Sequence, residues 1–208
     1  MNAYMKEFAK DARPLFIGLV LAADVVAAVV LGGLRGYHLS MLYYFLGGLL
    51  FFFIIEYFIH RFILHGLMKI VLPKAYEGHV QHHIEPTEMK YLLTPNLYNI
   101  PGYIAVWVVG WLLTRNVPCM AAFVVGTSLS QLNYEWTHFV SHRPIIPRTR
   151  WGKWMKKFHL LHHYKNENYW FGVTHPTMDI LFHTDPDRDS VPKVDPPTEL
   201  PARHRGLF

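Results

Sequence analysis

Cysteine occurs once in these 208 residues, at Cys119. A single thiol excludes an intrachain disulfide framework and a metal cage built of thiolates, and it fits a reducing compartment. Charge is also scarce: Asp, Glu, Lys and Arg make up 17% of the chain against 51% hydrophobic residues. The opening stretch MNAYMKEFAKDARP lacks the basic, then apolar, then small-residue order of a cleaved signal peptide. The first apolar run, which begins at Leu15, is therefore expected to be retained. No internal repeat is visible beyond one doubled histidine pattern.

What the chain has instead is long apolar runs in its first two thirds. Residues 15–34 form a run of about 20, long enough to cross a bilayer as a helix. Residues 41–65, 97–113 and 117–135 are expected to form three more spans. The last carries a polar second half (Thr127, Ser128, Ser130, Gln131, Asn133). The connections Arg35–Ser40 and Thr114–Asn116 are short and imply two antiparallel helical hairpins.

Lys and Arg set the expected orientation. They gather before the first run (Lys6, Lys10, Arg13), after the second (Arg61, Lys69, Lys74, Lys90) and after the fourth (Arg143 through Lys165). The two short turns hold only Arg35 and Arg115. Both termini and the long middle segment are thus expected on the cytoplasmic side. The net charge of +5 follows this topology rather than a nucleic-acid-binding stripe. Residues 148–164 mix tryptophans with cations and read as a helix lying near the headgroups. Lys69 to Pro73 reads as a shorter interfacial piece. Residues 184–208, rich in Pro and Asp, read as an extended or disordered tail.

Histidine is the other abundance. Ten of the fourteen fall into four tight clusters: His60 and His65; His79, His82 and His83; His138 and His142; His159, His162 and His163. Residues three and four apart share a helix face, so each HxxHH and the HxxxH present their rings together if helical. Neutral imidazole is the commonest metal ligand. Ten rings exceed the roughly four to six ligands of one first-row ion and suit two, and all-nitrogen ligation points to iron, copper or zinc. His38, His175, His183 and His204 stand alone and read as structural residues. All four clusters fall in cytoplasmic segments or at cytoplasmic span ends, so they are expected to build one composite site.

The order Hx4H, HxxHH, HxxxH, HxxHH, threaded on four spans, resembles the membrane fatty acid hydroxylase and sterol desaturase superfamily. The stretches EYFIHRFILH, HVQHHIEPTEMKYLLTPN, YEWTHFVSH and HLLHHYKNENYWFGVTHPTMDILFHT are most similar to its fatty acid 2-hydroxylase branch. The resemblance implies an all-α, integral membrane four-helix bundle with a cytoplasmic helical cap. That cap would carry a histidine-rich di-iron site bound by the ten clustered histidines. It also implies hydroxylation of a lipid C–H bond with O2 and two electrons, a fatty acyl chain being the leading substrate. Residues 1–183 would form this single domain. Zinc fits the same nitrogens but is redox-inert, so a zinc-loaded protein would still be compatible with an oxygenase. That branch often carries a fused cytochrome b5 domain, for which the 14 residues before the first span leave no room. Electrons are then expected from a separate donor such as cytochrome b5 or a ferredoxin with its reductase.

Other residues carry expectations of their own. Glu56 and Glu135 lie four and three residues before clustered histidines and are placed to orient a ring or the neighbouring chain. Glu56 reads equally as a partner of Arg61, and Glu135 stands where the branch tends to have aspartate. Asp179 matches the aspartate after the last box and is expected to support the site or cap a helix. Asp24, in mid-span, is expected to bond to Tyr43, Tyr44 or the polar face of the fourth helix. Tyr134, Tyr169, Trp170 and Phe171 are candidate walls of an acyl slot, with interfacial anchoring the plainer reading. Two enzyme alternatives stay open, a desaturase and an oxygenase acting on a sterol or carotenoid. A third, of another class, is a non-enzymatic metal-binding or metal-transport protein.

Overall fold

The computed structural model describes residues 3–36, 38–66, 72–195 and 198, with the side chains of Arg35 and His38 left aside. Residues 69–71 of the expected interfacial piece, and residues 196, 197 and 199–208 of the expected tail, lie outside the described residues. Among those described, every regular element is helical: α1 (Ala3–Lys10), α2 (Ala12–Arg35), α3 (His38–Phe58), a π-helical turn (Ile59–Leu64), α4 (Pro73–Ile84), α5 (Met89–Leu92), α6 (Asn96–Thr114), α7 (Val117–Ser141), α8 (Arg150–Tyr164), α9 (Thr177–Leu181) and a 3-10 turn (Arg188–Ser190). Among the described residues, three stretches are long and apolar enough to cross a membrane: Ala12–Leu34, Leu39–Leu64 and Met89–Thr114. The first begins earlier than its apolar run because Asp11 caps the helix, accepting from Arg13 N at 2.9 Å and from the Arg13 guanidinium at 2.7 Å.

The chain divides into two compact units. The first, Met1–Phe53 with Thr94–Trp136, gathers α1, α2, α6 and most of α3 and α7. Here α3 and α7 meet at backbone distance. A Cβ on Gly48 would lie 2.0 Å from Phe123 O, and one on Gly126 would lie 2.2 Å from Phe45 O. Glycine alone permits this approach, the usual device of tightly packed membrane helices. Three side chains of the polar half of α7, which keeps it out of the three most apolar stretches, are bonded internally, while Asn133 is exposed. Tyr103 donates to Gln131 at 2.8 Å, and Gln131 donates to Asn99 at 2.7 Å. Thr127 donates to Phe123 O at 3.0 Å, and Ser130 to Leu49 O at 3.3 Å. Internal partners remove most of the cost of polar side chains in an apolar setting. Asp24 is buried, with the Trp107 indole of α6 as a polar neighbour, and Tyr43, one of its expected partners, is 64% exposed.

The second unit, Ile54–Leu93 with Thr137–Phe208, holds the π turn, α4, α5, the end of α7, α8 and α9. Thr149 caps α8 by accepting from Gly152 N at 3.0 Å. One face of α8 buries Met155, Phe158, His159, His162 and His163, while Trp151 and Trp154 stay exposed. Met155 and Phe158 pack with Trp170 and Val191. The Pro/Asp-rich segment is thereby anchored at its start: Val191 is buried, and Val194 N donates to Lys165 O at 2.8 Å.

Candidate metal centre

Four chain segments carry the clustered histidines into the second unit, and each solves its spacing differently. His60 and His65 are five residues apart, which on an α-helix of about 3.6 residues per turn would turn them roughly 140° from one another. The π winding of Ile59–Leu64 corrects this. Its wider turn closes with His65 N donating to His60 O at 3.1 Å, and the two ring centroids come within 5.1 Å. Such π turns are rare and concentrate at functional sites. The other clusters use ordinary α-helical spacing on α4, the end of α7 and α8.

Together they form two groups of five. His60, His65, His79, His83 and His162 make the first; His82, His138, His142, His159 and His163 make the second. Within each group one nitrogen per ring lies within 4.8 Å of all the others. The two HxxHH helices divide their rings in opposite senses. On α4 the pair four apart, His79 and His83, joins the first group and His82 the second. On α8 the pair four apart, His159 and His163, joins the second and His162 the first.

Ring nitrogens of like kind face one another at short range. Nε2 of His65 lies 2.8 Å from Nε2 of His79 and 3.0 Å from Nε2 of His162. Nε2 of His142 lies 2.9 Å from Nε2 of His159. Metal–nitrogen bonds of about 2.0–2.1 Å meeting near a right angle would set two nitrogens ~2.9 Å apart. Nε2 of His60 and both ring nitrogens of His82 and His163 are buried with no hydrogen-bond partner, a costly arrangement that a cation would relieve. These residues fit a pair of metal ions.

Protonation agrees with that fit. Burial, reinforced by neighbouring imidazoles, pushes His79, His82, His142, His159, His162 and His163 well below the usual imidazole range, and His83 down to about 3. The neutral ring is the ligand form. Backbone carbonyls fix the tautomers. His60 Nδ1 donates to Phe171 O at 2.5 Å and His162 Nδ1 to Tyr169 O at 2.8 Å. A carbonyl only accepts, so Nε2 of each ring keeps its lone pair for the group.

The segment supplying those carbonyls is held by Asp179. Its carboxylate accepts from Phe171 N at 2.8 Å, Gly172 N at 2.7 Å and Thr184 Oγ1 at 2.8 Å. Thr184 meets the Tyr57 hydroxyl at 3.0 Å, which in turn accepts from Arg61 at 2.6 Å. Trp170, between the two orienting carbonyls, has φ 58, a left-handed backbone that costs a bulky residue roughly 1–2 kcal/mol. Its buried indole and the bond from its N–H to Thr184 O at 2.7 Å hold it there. A Cβ on Gly172 would lie 2.2 Å from His175 O, so glycine is required at that close approach.

A sequence model of the fatty acid hydroxylase family matches residues 45–184. The chain belongs to the fatty acid hydroxylase family. Similar proteins include the dihydroceramide fatty acyl 2-hydroxylase FAH1 of Arabidopsis thaliana, 30% identical over 140 residues, covering 63% of this chain and 55% of that one. The fatty acid 2-hydroxylase of Rattus norvegicus is 27% identical over 153 residues, covering 71% and 40%. The chain therefore spans about half or less of the length of those relatives. A solved structure of full-length scs7p, in which only the hydroxylase domain is visible, superposes with a TM-score of 0.68 at 26% identity. It covers 86% of this chain and 69% of that one.

The remaining expected site residues of this family member have clear positions. Glu56 takes its partners from the neighbouring chain, accepting from Thr174 N at 3.1 Å and Thr174 Oγ1 at 2.9 and 2.8 Å, while Arg61 bonds to Tyr57. Glu135, fully buried, accepts from Thr94 N at 3.3 and 3.2 Å. Tyr134 packs edge-on against Phe52. Phe171 packs against the His60, His65 and His162 rings, and Trp170 lies in the core beside α8. His175 and His183 belong to neither group; His175 Nδ1 accepts from Thr177 N at 3.1 Å at the start of α9. Sequence reasoning missed the orienting carbonyls of Tyr169 and Phe171, since a backbone group leaves no residue signature.

Proposed function

We propose that this chain is an integral membrane di-iron oxygenase that hydroxylates a C–H bond of a lipid, with a fatty acyl chain as substrate. The observation that carries the reading is the gathering of ten histidines into two groups of five, in a chain of the fatty acid hydroxylase family. The relatives named above act on fatty acids or dihydroceramide fatty acyl chains, which supports an acyl substrate here. Iron bound in both groups would supply the strong O2-derived oxidant that an alkyl C–H bond requires and side chains lack.

The chain's own part is binding, orientation and exclusion of water. Ten imidazoles serve as ligands, the carbonyls of Tyr169 and Phe171 aim two of them, and Asp179 holds those carbonyls in place. Burial of the rings keeps bulk water from the centre. Phe171, against three of the rings, is the nearest of the candidate walls for the acyl chain. Two electrons per turnover come from a donor protein such as cytochrome b5 or a ferredoxin with its reductase.

Four spans, formed by α2, α3 with its π turn, α6 and α7, would place both termini and the metal site on the cytoplasmic side. The distribution of Lys and Arg supports this. Internal bonding of the polar half of α7 supports its membership despite its composition. Lipid mass spectrometry of cells with and without the protein tests the reading. A gain of one oxygen on acyl chains is expected. Loss of two hydrogens would assign a desaturase, and changes confined to sterols or carotenoids would replace the substrate class.

A further inference from the structure

The end of α7 is held by a cation that plays no part in the metal-centre reading above. Lys156, on α8, donates to Val140 O at 2.9 Å, Arg143 O at 2.7 Å and Ile145 O at 2.9 Å. An ammonium has three donors, and all three are used on one short stretch of backbone. That stretch is the last turn of α7 and the bend after it, where helical carbonyls run out of partners and the helix dipole is negative. Arg143 adds a second tie, donating to Thr87 O at 2.5 Å beyond α4 and lying over the Phe139 ring.

The consequence falls on one metal group only. Four of the five rings of the second group come from the two segments that Lys156 joins: His138 near the end of α7 and His142 just past it, His159 and His163 on α8. No ring of the first group comes from α7. Lys156 sits three residues before His159, so its reach sets the offset of α8 against α7 at the level where those four rings face each other. The short Nε2 to Nε2 approach of His142 and His159, 2.9 Å, depends on that offset.

We propose that Lys156 is a positioning residue for the second metal group alone, fixing its geometry by clamping the C-terminal turn of α7 to α8. The proposal rests on the reading of the two histidine groups as metal sites. Removing the clamp should weaken one metal of the pair and leave the other.

The test compares wild type, Lys156→Met and Lys156→Arg, with His138→Ala and His65→Ala as references for the second and first groups. Each full-length protein is purified in detergent, loaded with 57Fe(II), challenged with a weak chelator and read by metal content and Mössbauer spectrum. Lys156→Met is expected to release one iron per chain about 10- to 100-fold faster than wild type. It should lose the same spectral component as His138→Ala and keep the component lost in His65→Ala. Lys156→Arg, which keeps the charge and several donors, is expected to restore part of the retention, and it carries the test alone if Lys156→Met does not fold. Wild-type retention and spectrum in both lysine variants would overturn the proposal while leaving the metal reading intact. Equal loss of both irons would overturn it in favour of a general structural role. Two irons retained by His138→Ala would overturn the metal reading and the proposal together.

Discussion

His83 and His163 lie face to face, with ring centroids 4.1 Å apart and planes 14° from parallel. Each belongs to a different five-histidine group, so the stacked pair is where the two groups touch. Two neutral rings can stack in this way, whereas two protonated rings would repel across the same gap.

Opposite assignments of α4 and α8 make the two groups separable by mutation. His162→Ala should remove the metal of the first group and His82→Ala that of the second. Each variant should lose about one ion per chain and all measurable hydroxylation, while the helical circular dichroism stays unchanged. Metal analysis beside lipid product analysis checks this, and a variant with full metal and turnover would remove its histidine from the ligand set.

Asp179→Ala should act through the loop. Three donors lose their acceptor, at about 1–3 kcal/mol for each one left buried, and the Tyr169 and Phe171 carbonyls lose their anchor. Thermal unfolding of the metal-loaded protein should shift down by several degrees, and metal affinity should fall about 10- to 100-fold. Unchanged affinity with a lowered melting point would confine Asp179 to stability.

Gly48→Ala and Gly126→Ala each push a methyl group into the backbone of the facing helix. Overpacking of this kind costs roughly 1–3 kcal/mol. Both variants should show lower yield and earlier unfolding in detergent, and Gly33→Ala, where a Cβ meets nothing within 4 Å, should not.

Acid should destabilise the protein prepared without metal. His83 is pushed down to about 3, and His82, His159, His162 and His163 are lowered likewise, by burial first and by neighbouring rings second. In the unfolded chain these rings protonate near the ordinary value of about 6.5, so below it the unfolded state binds more protons. Their stability contribution is complete above about pH 6.5 and falls as pH drops toward the folded values. Thermal scans from pH 8 to pH 5 should show the melting point dropping below pH 6.5. A flat profile would contradict the burial of neutral rings.

Much of this site could be read from residue order, because His79, His82 and His83 and their counterparts on α8 follow the helical repeat. The His60–His65 pair breaks that repeat, and only a π turn reconciles it. The five-residue spacing was itself the visible signal. The sharing of ten rings between two groups was not legible, since it depends on how α4 and α8 face each other. Glu56 shows a similar limit. Its neighbour in sequence, Arg61, went to Tyr57, while the partner that mattered, Thr174, lies 118 residues away. For α7 a polar composition gave no sign of the internal partners, Tyr103 and Asn99, that Gln131 finds.

His60 and His162 are steered by peptide oxygens, not by side chains, and this frees positions 169 and 171 from any duty to the cations. Their aromatic groups can be exchanged during divergence, as long as the backbone path survives. On the proposed reading, an acyl slot walled by Phe171 would thus be open to remodelling for new lipids, on a frame that continues to aim the same two histidines.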